Sequence, residues 1–101
     1  MSTLLGTKQD KLDALRRSLA ARLPGIVADL ESACREHLAQ PSDAEKKERA
    51  VRAAHTLAGT AGTFGYLDLG RTARALELLL RDAAPAADVE ASVVRLRPSL
   101  P

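Results

Sequence analysis

Aromatic residues are almost missing from this sequence: one phenylalanine (Phe64), one tyrosine (Tyr66) and no tryptophan in 101 residues. A β-sheet core draws on aromatic and β-branched side chains. Their scarcity, beside abundant alanine and leucine, points to helices. Cys34 is the single cysteine, which excludes an internal disulfide and fits a reducing compartment. No apolar run approaches the ~20 residues of a membrane-spanning helix. The N-terminus lacks the charged start and continuous apolar stretch of a signal peptide. We therefore expect a cytoplasmic protein without a membrane partner. Neither sign of charge dominates: 15 basic residues against 13 acidic leave a formal net charge of +2. The charges are interleaved, and no basic cluster carries aromatics, which argues against a nucleic-acid partner.

What is present is helical periodicity. Leu12, Leu15, Leu19 and Leu23 repeat at helical spacing behind a candidate cap, Thr7. This predicts a first helix over residues 7–22. Pro24 suits a first helical turn, so a second helix is predicted over 24–39, burying Ile26, Val27, Leu30, Ala33, Cys34 and Leu38. Ser42 and Glu45 fit a capping box for a third helix over 43–64, stopped by Gly65. A fourth is predicted over 67–83, ahead of Pro85. A short fifth runs over 89–96 behind Asp88 and ends at Arg97-Pro98. Long helices joined by short turns give an all-α fold, an antiparallel four-helix bundle with an additional short helix. The bundle is expected over residues 1–96 and to be monomeric, with 97–101 as a tail or the start of a linker to a larger protein.

The segment from Ala54 to Gly65 is unusual within this pattern. His55 is followed by Gly59 and Gly62 in a predicted helix, where each glycine costs about 1 kcal/mol against alanine. At about 100° per residue, Glu48, Arg52, Gly59 and Gly62 fall within about 60° of His55. Ala53, Leu57, Ala61 and Phe64 fall opposite and are the expected core face. His55 thus stands on an outward face made bare by glycine. Small residues at this spacing also allow close helix packing, which is the alternative account of Gly62.

A metal site needs further ligands, and the candidates, His37 and Cys34, lie on another helix. A hydrolytic triad needs a nucleophile and an oxyanion hole in a cleft, which a narrow bundle lacks. Phosphoryl acceptance needs only a neutral imidazole with one free nitrogen and room for a partner that brings the remaining catalytic groups. Glu77 borders the stripe Leu69, Ala73, Leu76 and Leu80 on the fourth helix. Accepting a hydrogen bond from His55 Nδ1, it would fix the tautomer and leave Nε2 free.

Taken in order, His55, Ala58-Gly59, Thr60 to Thr63, Phe64-Gly65, Leu69, Ala73 and Leu76-Glu77 resemble the histidine-containing phosphotransfer (HPt) domain of two-component phosphorelays. The resemblance is close over about a quarter of the chain, and the helical layout extends it to nearly all of it. It implies a phosphorelay module that accepts a phosphoryl group on His55 Nε2. The group is exchanged with an aspartate of a receiver domain, in a response regulator or a hybrid histidine kinase. It implies no bound cofactor and no autonomous catalytic activity; Mg²⁺ in such a complex belongs to the receiver. Glu77 is the orienting residue, and Arg52, Ala58, Gly59 and Gly62 form the docking platform. One departure stands out. Where the family has a lysine three residues after the histidine, this chain has Ala58. Arg52 is the first candidate to supply the missing cation, and Arg74 the second. A helical docking scaffold that is not phosphorylated is the alternative function, and Ala58 is its support. Tyr66 is expected to pack over the helix end, and His37 to be a solvated or helix-supporting residue.

Overall fold

Asp43 starts the helix that carries His55: its side chain accepts hydrogen bonds from the Glu45 and Lys46 amides at 3.0 and 3.2 Å. These contacts satisfy two of the amides that every helix start leaves without a partner. In the computed structural model, which describes residues 7–101, four helices follow one another: α1 Lys8–Ala39, α2 Ala44–Thr63, α3 Leu67–Arg81 and α4 Ala86–Val94. A short 3₁₀ turn, Arg97–Ser99, comes last. No strand occurs among the described residues. The first six residues of the expected domain lie outside the described range.

The chain is an all-α bundle, with one correction to the expected element list. The two helices anticipated before residue 40 are a single 32-residue helix, α1, with Pro24 inside it. Proline removes one backbone hydrogen bond and costs roughly 3 kcal/mol in a helix interior. Here the ring points to solvent while Leu23 and Val27, on either side, are completely buried. Burial of the flanking turns holds the helix through the break. Thr7, expected as the cap, does cap α1, and within a capping box: Thr7 accepts from the Asp10 amide, and Asp10 accepts from the Thr7 amide.

Smaller corrections share a cause, local chemistry overriding the pattern. Asp43 rather than Ser42 caps α2, its carboxylate accepting from the Glu45 and Lys46 amides in place of the expected Ser42–Glu45 capping box. Pro85 rather than Asp88 precedes α4, and Asp88 falls in its first turn. Helix α3 stops at Arg81, before the expected Ala83, because Ala83 adopts a left-handed φ of 53°. The Ala84 amide then bonds Leu79 O at 3.0 Å and the Ala83 amide bonds Leu80 O at 3.3 Å, a Schellman ending. The end of α2 is built the same way around Gly65, at φ 85°, with Tyr66 N to Ala61 O at 2.8 Å and Gly65 N to Gly62 O at 3.2 Å.

Helices adjacent in sequence pack side by side, and α1 closes the ring against α4. The α1–α2 hairpin is tied at both ends, which fixes it as antiparallel. Arg49 meets Glu36 near the turn. At the far end Arg16 donates from Nε and Nη2 to Phe64 O at 3.0 and 2.9 Å, and Tyr66 OH donates to Arg16 O at 3.1 Å. The core consists of Leu19, Leu23, Val27, Leu30, Ala33 and Cys34 from α1, Ala50, Ala54, Leu57 and Ala61 from α2, and Leu69, Ala73, Leu76 and Leu80 from α3, closed by Val89 and Leu96. Leu12 and Leu15, in the expected stripe, lie beyond the other helices and are exposed. Burial pushes the Cys34 thiol up to about 11, with Arg35 pulling weakly the other way. Residues 97–99, expected in a tail, fold back instead: Arg97 pairs with Glu31 and Ser99 bonds Thr72.

Candidate functional site

The core face of α2 is Ala50, Ala54, Leu57 and Ala61, while Ala53 and Phe64 are half-buried. This is rotated slightly from the expected face, and it leaves His55 outward, its side chain 61% exposed. Beside the imidazole lies a shallow depression lined by Thr56, Gly59, Thr60, Thr63 and Phe64.

The two glycines on this face have open space where a side chain would stand. A Cβ placed on Gly59 or on Gly62 would meet nothing within 4 Å. The close helix approach anticipated at Gly62 is made from the other side, by Gly70 of α3. A Cβ there would lie 3.4 Å from Gly62 N and 3.5 Å from Ala58 O. Gly70 is fully enclosed, and sequence reasoning missed it. Its signal was a glycine one turn into a predicted helix, facing the small residues of α2.

That close approach brings α3 near enough for Glu77 to reach across. Glu77 Oε2 lies 2.9 Å from His55 Nδ1, and the Glu77 side chain is only 3% exposed. Buried carboxylates need partners. Oε2 has a second one, the Arg81 Nε–H at 2.9 Å. Oε1 has no hydrogen-bond partner among the described residues; the nearest cation is Arg74, with Nη1 at 3.9 Å. Burial pushes the Glu77 carboxyl upward. The hydrogen bonds from Arg81 and His55, with their charges, outweigh it and hold the group below the usual carboxylate range. Arg81 was also missed from the sequence, although its spacing of four from Glu77 is the standard distance for ion pairs on one helix face.

The remaining candidates fall into place as follows. Arg52 is exposed, and its guanidinium is held by Glu48 at 2.5 Å, one turn toward the helix start. It borders the groove between α1 and α2 rather than the depression beside His55. Ala58 is half-buried against the core at the α2–α3 seam. Arg74 stands over the buried carboxylate on α3. His37 is half-buried, and its Nδ1 has no partner among the described residues. No cluster of histidine, cysteine or acidic residues suited to a metal ion occurs among the described residues. No described helix is long and apolar enough to cross a membrane.

A neutral His55 that donates its Nδ1–H to the carboxylate would keep its Nε2 lone pair free, on an exposed ring beside the open Cβ directions of Gly59 and Gly62.

Comparison with known proteins gives a consistent outcome. The family model for the Hpt domain matches residues 3–97. The chemotaxis protein CheA of Salmonella typhimurium is 38% identical over 58 residues, a stretch covering 57% of this chain. The match spans 9% of that protein's length. No solved structure matches significantly.

Proposed function

We propose, from the premise that this chain belongs to the Hpt domain family, that it carries phosphoryl groups on His55 between receiver-domain aspartates of a phosphorelay. A histidine phosphotransfer module in phosphorelay signalling is what membership supports; the acceptor atom and the exchange partner are our reading. The observation that carries it is the 2.9 Å contact between His55 Nδ1 and buried Glu77.

An imidazole donates from one nitrogen when neutral. With the proton on Nδ1 and bonded to the carboxylate, Nε2 holds a lone pair and acts as the nucleophile. The N–P bond forms as the P–O bond to the receiver's aspartate breaks, and that aspartate leaves as a carboxylate with the bonding electrons. The ring gains positive charge because Nδ1 keeps its proton, and Glu77 offsets that charge without moving. The reverse transfer runs through the same geometry. The partner must come within bonding distance of Nε2, and the open Cβ directions of Gly59 and Gly62 leave room for it.

The test is labelling by a phosphorylated receiver. We expect an acid-labile, base-stable phosphate on the protein, absent in His55→Gln. An acid-stable label elsewhere overturns the proposal. The scaffold reading has Ala58 in its favour, since no cation stands at that position. It predicts receiver binding unchanged by His55→Ala and no transfer from any donor.

A further inference from the structure

Glu77 is a buried carboxylate whose one oxygen serves two donors, and the donors differ in kind. His55 Nδ1 lies at 2.9 Å and is neutral in the reactive state. Arg81 Nε also lies at 2.9 Å and is always charged. The third group facing this carboxylate, Arg74, is at 3.9 Å from the other oxygen, outside hydrogen-bond distance. Arg81 is therefore the cation that makes a hydrogen bond to Glu77.

The protonation of Glu77 decides which nitrogen of His55 is free. An ionised carboxylate only accepts, so it selects the Nδ1–H tautomer and leaves Nε2 as nucleophile. A protonated carboxyl donates. It would place its hydrogen on the lone pair of Nδ1 and drive the ring proton to Nε2, which abolishes the outward nucleophile. Burial alone favours the protonated carboxyl. We propose that Arg81 is a positioning residue that keeps Glu77 an obligate acceptor and thereby sets the reactive tautomer of His55. The three residues form a chain across two helices, Arg81 to Glu77 on α3 and Glu77 to His55 on α2. The cation that the family's pattern places three residues after the histidine is absent at Ala58. In this chain a cation acts instead from α3, on the far side of the carboxylate.

The role assigned to Arg81 rests on His55 being the phosphoacceptor, so the experiment separates the two. Nitrogen-15 spectra of the imidazole report the tautomer directly. Phosphoramidate, a small donor that needs no docking partner, reports nucleophilicity. In Arg81→Met we expect the Nε2–H tautomer to gain, labelling to fall about tenfold, as for loss of one hydrogen bond to a charged group, and the acid limb of the labelling profile to move to higher pH. Arg81→Lys should restore part of both. Glu77→Leu, which removes the acceptor altogether, should show the same tautomer change, with no further loss in the double variant. A wild-type tautomer and pH profile in Arg81→Met overturns the proposal, even where the melting temperature falls. If the wild-type protein takes no phosphoryl group on His55, the phosphoacceptor reading falls, and the tautomer measurement still decides what Arg81 does to the ring.

Discussion

Gly70 faces the backbone of Gly62 so closely that a methyl group at Gly70 would touch the Gly62 amide nitrogen at 3.4 Å. This is ordinary contact for a methyl and leaves nothing for a larger side chain. Gly70→Ala should therefore fold with near wild-type stability, its helix preference offsetting the tightness. Gly70→Val should lose roughly 2 kcal/mol by overpacking and move α3 outward. Denaturant melts measure the first effect. Lengthening of the His55–Glu77 contact, seen as a tautomer change, measures the second.

Gly59 is the opposite case, because its Cβ direction is open. Gly59→Ala should raise stability by about 1 kcal/mol, the helix preference alone. Gly59→Leu should be at least as stable as wild type. It should still take phosphoryl from phosphoramidate, yet exchange poorly with a receiver. Normal exchange by the leucine variant would remove the steric role of this position.

Both Schellman endings need a left-handed residue, and the chain supplies glycine at one and alanine at the other. Ala83→Gly should stabilise by roughly 1 kcal/mol, since it relieves the left-handed strain of a Cβ. Gly65→Ala should do the reverse and more. Its φ is 85°, which strains any Cβ, and the Cβ, 2.6 Å from Arg16 Nη2, would push the guanidinium off its bonds to Phe64 O. Thermal melts of the two variants should shift in opposite directions.

Glu77 links stability to acid. The hydrogen bonds and charges of Arg81 and His55 overcome the effect of burial and hold its carboxyl below the usual carboxylate range, so the native state holds fewer protons than the unfolded chain as pH falls. The stabilisation is complete above the unfolded carboxylate value and is lost as pH drops through the folded one. Glu77→Gln should melt with a flatter acid profile below about pH 5. Equal acid slopes for the two proteins would show that Glu77 contributes nothing to the linkage.

Much of this was legible in the residues because helical periodicity is a strong signal. The outward position of His55 and Gly59 followed from angle alone, and the contact with Glu77 followed from a carboxylate bordering an apolar stripe. The errors have physical reasons. Pro24 reads as a boundary locally, but Leu23 and Val27 are buried on both sides of it, and a tertiary gain of that kind is invisible to a local rule. Gly70 was passed over because a tight approach is a property of two helices. Arg81 was passed over because an arginine four residues from a glutamate usually marks a solvated ion pair. It matters here because the glutamate is buried, and burial is set by the packing of α2 on α3.

The two hydrogen bonds from Arg16 to the Phe64 carbonyl join groups 48 residues apart in sequence. Together with the turn at residues 40–43, they make α1 and α2 a ring of backbone closed without a covalent bond. Such a closure couples the two helices between Arg16 and Phe64, while the stretch of α1 before Arg16, where Leu12 and Leu15 are exposed, lies outside it. Opening of the stretch that carries His55 is then tied to opening of α1 beside it, and the imidazole keeps its bearing when the turn beyond Phe64 moves.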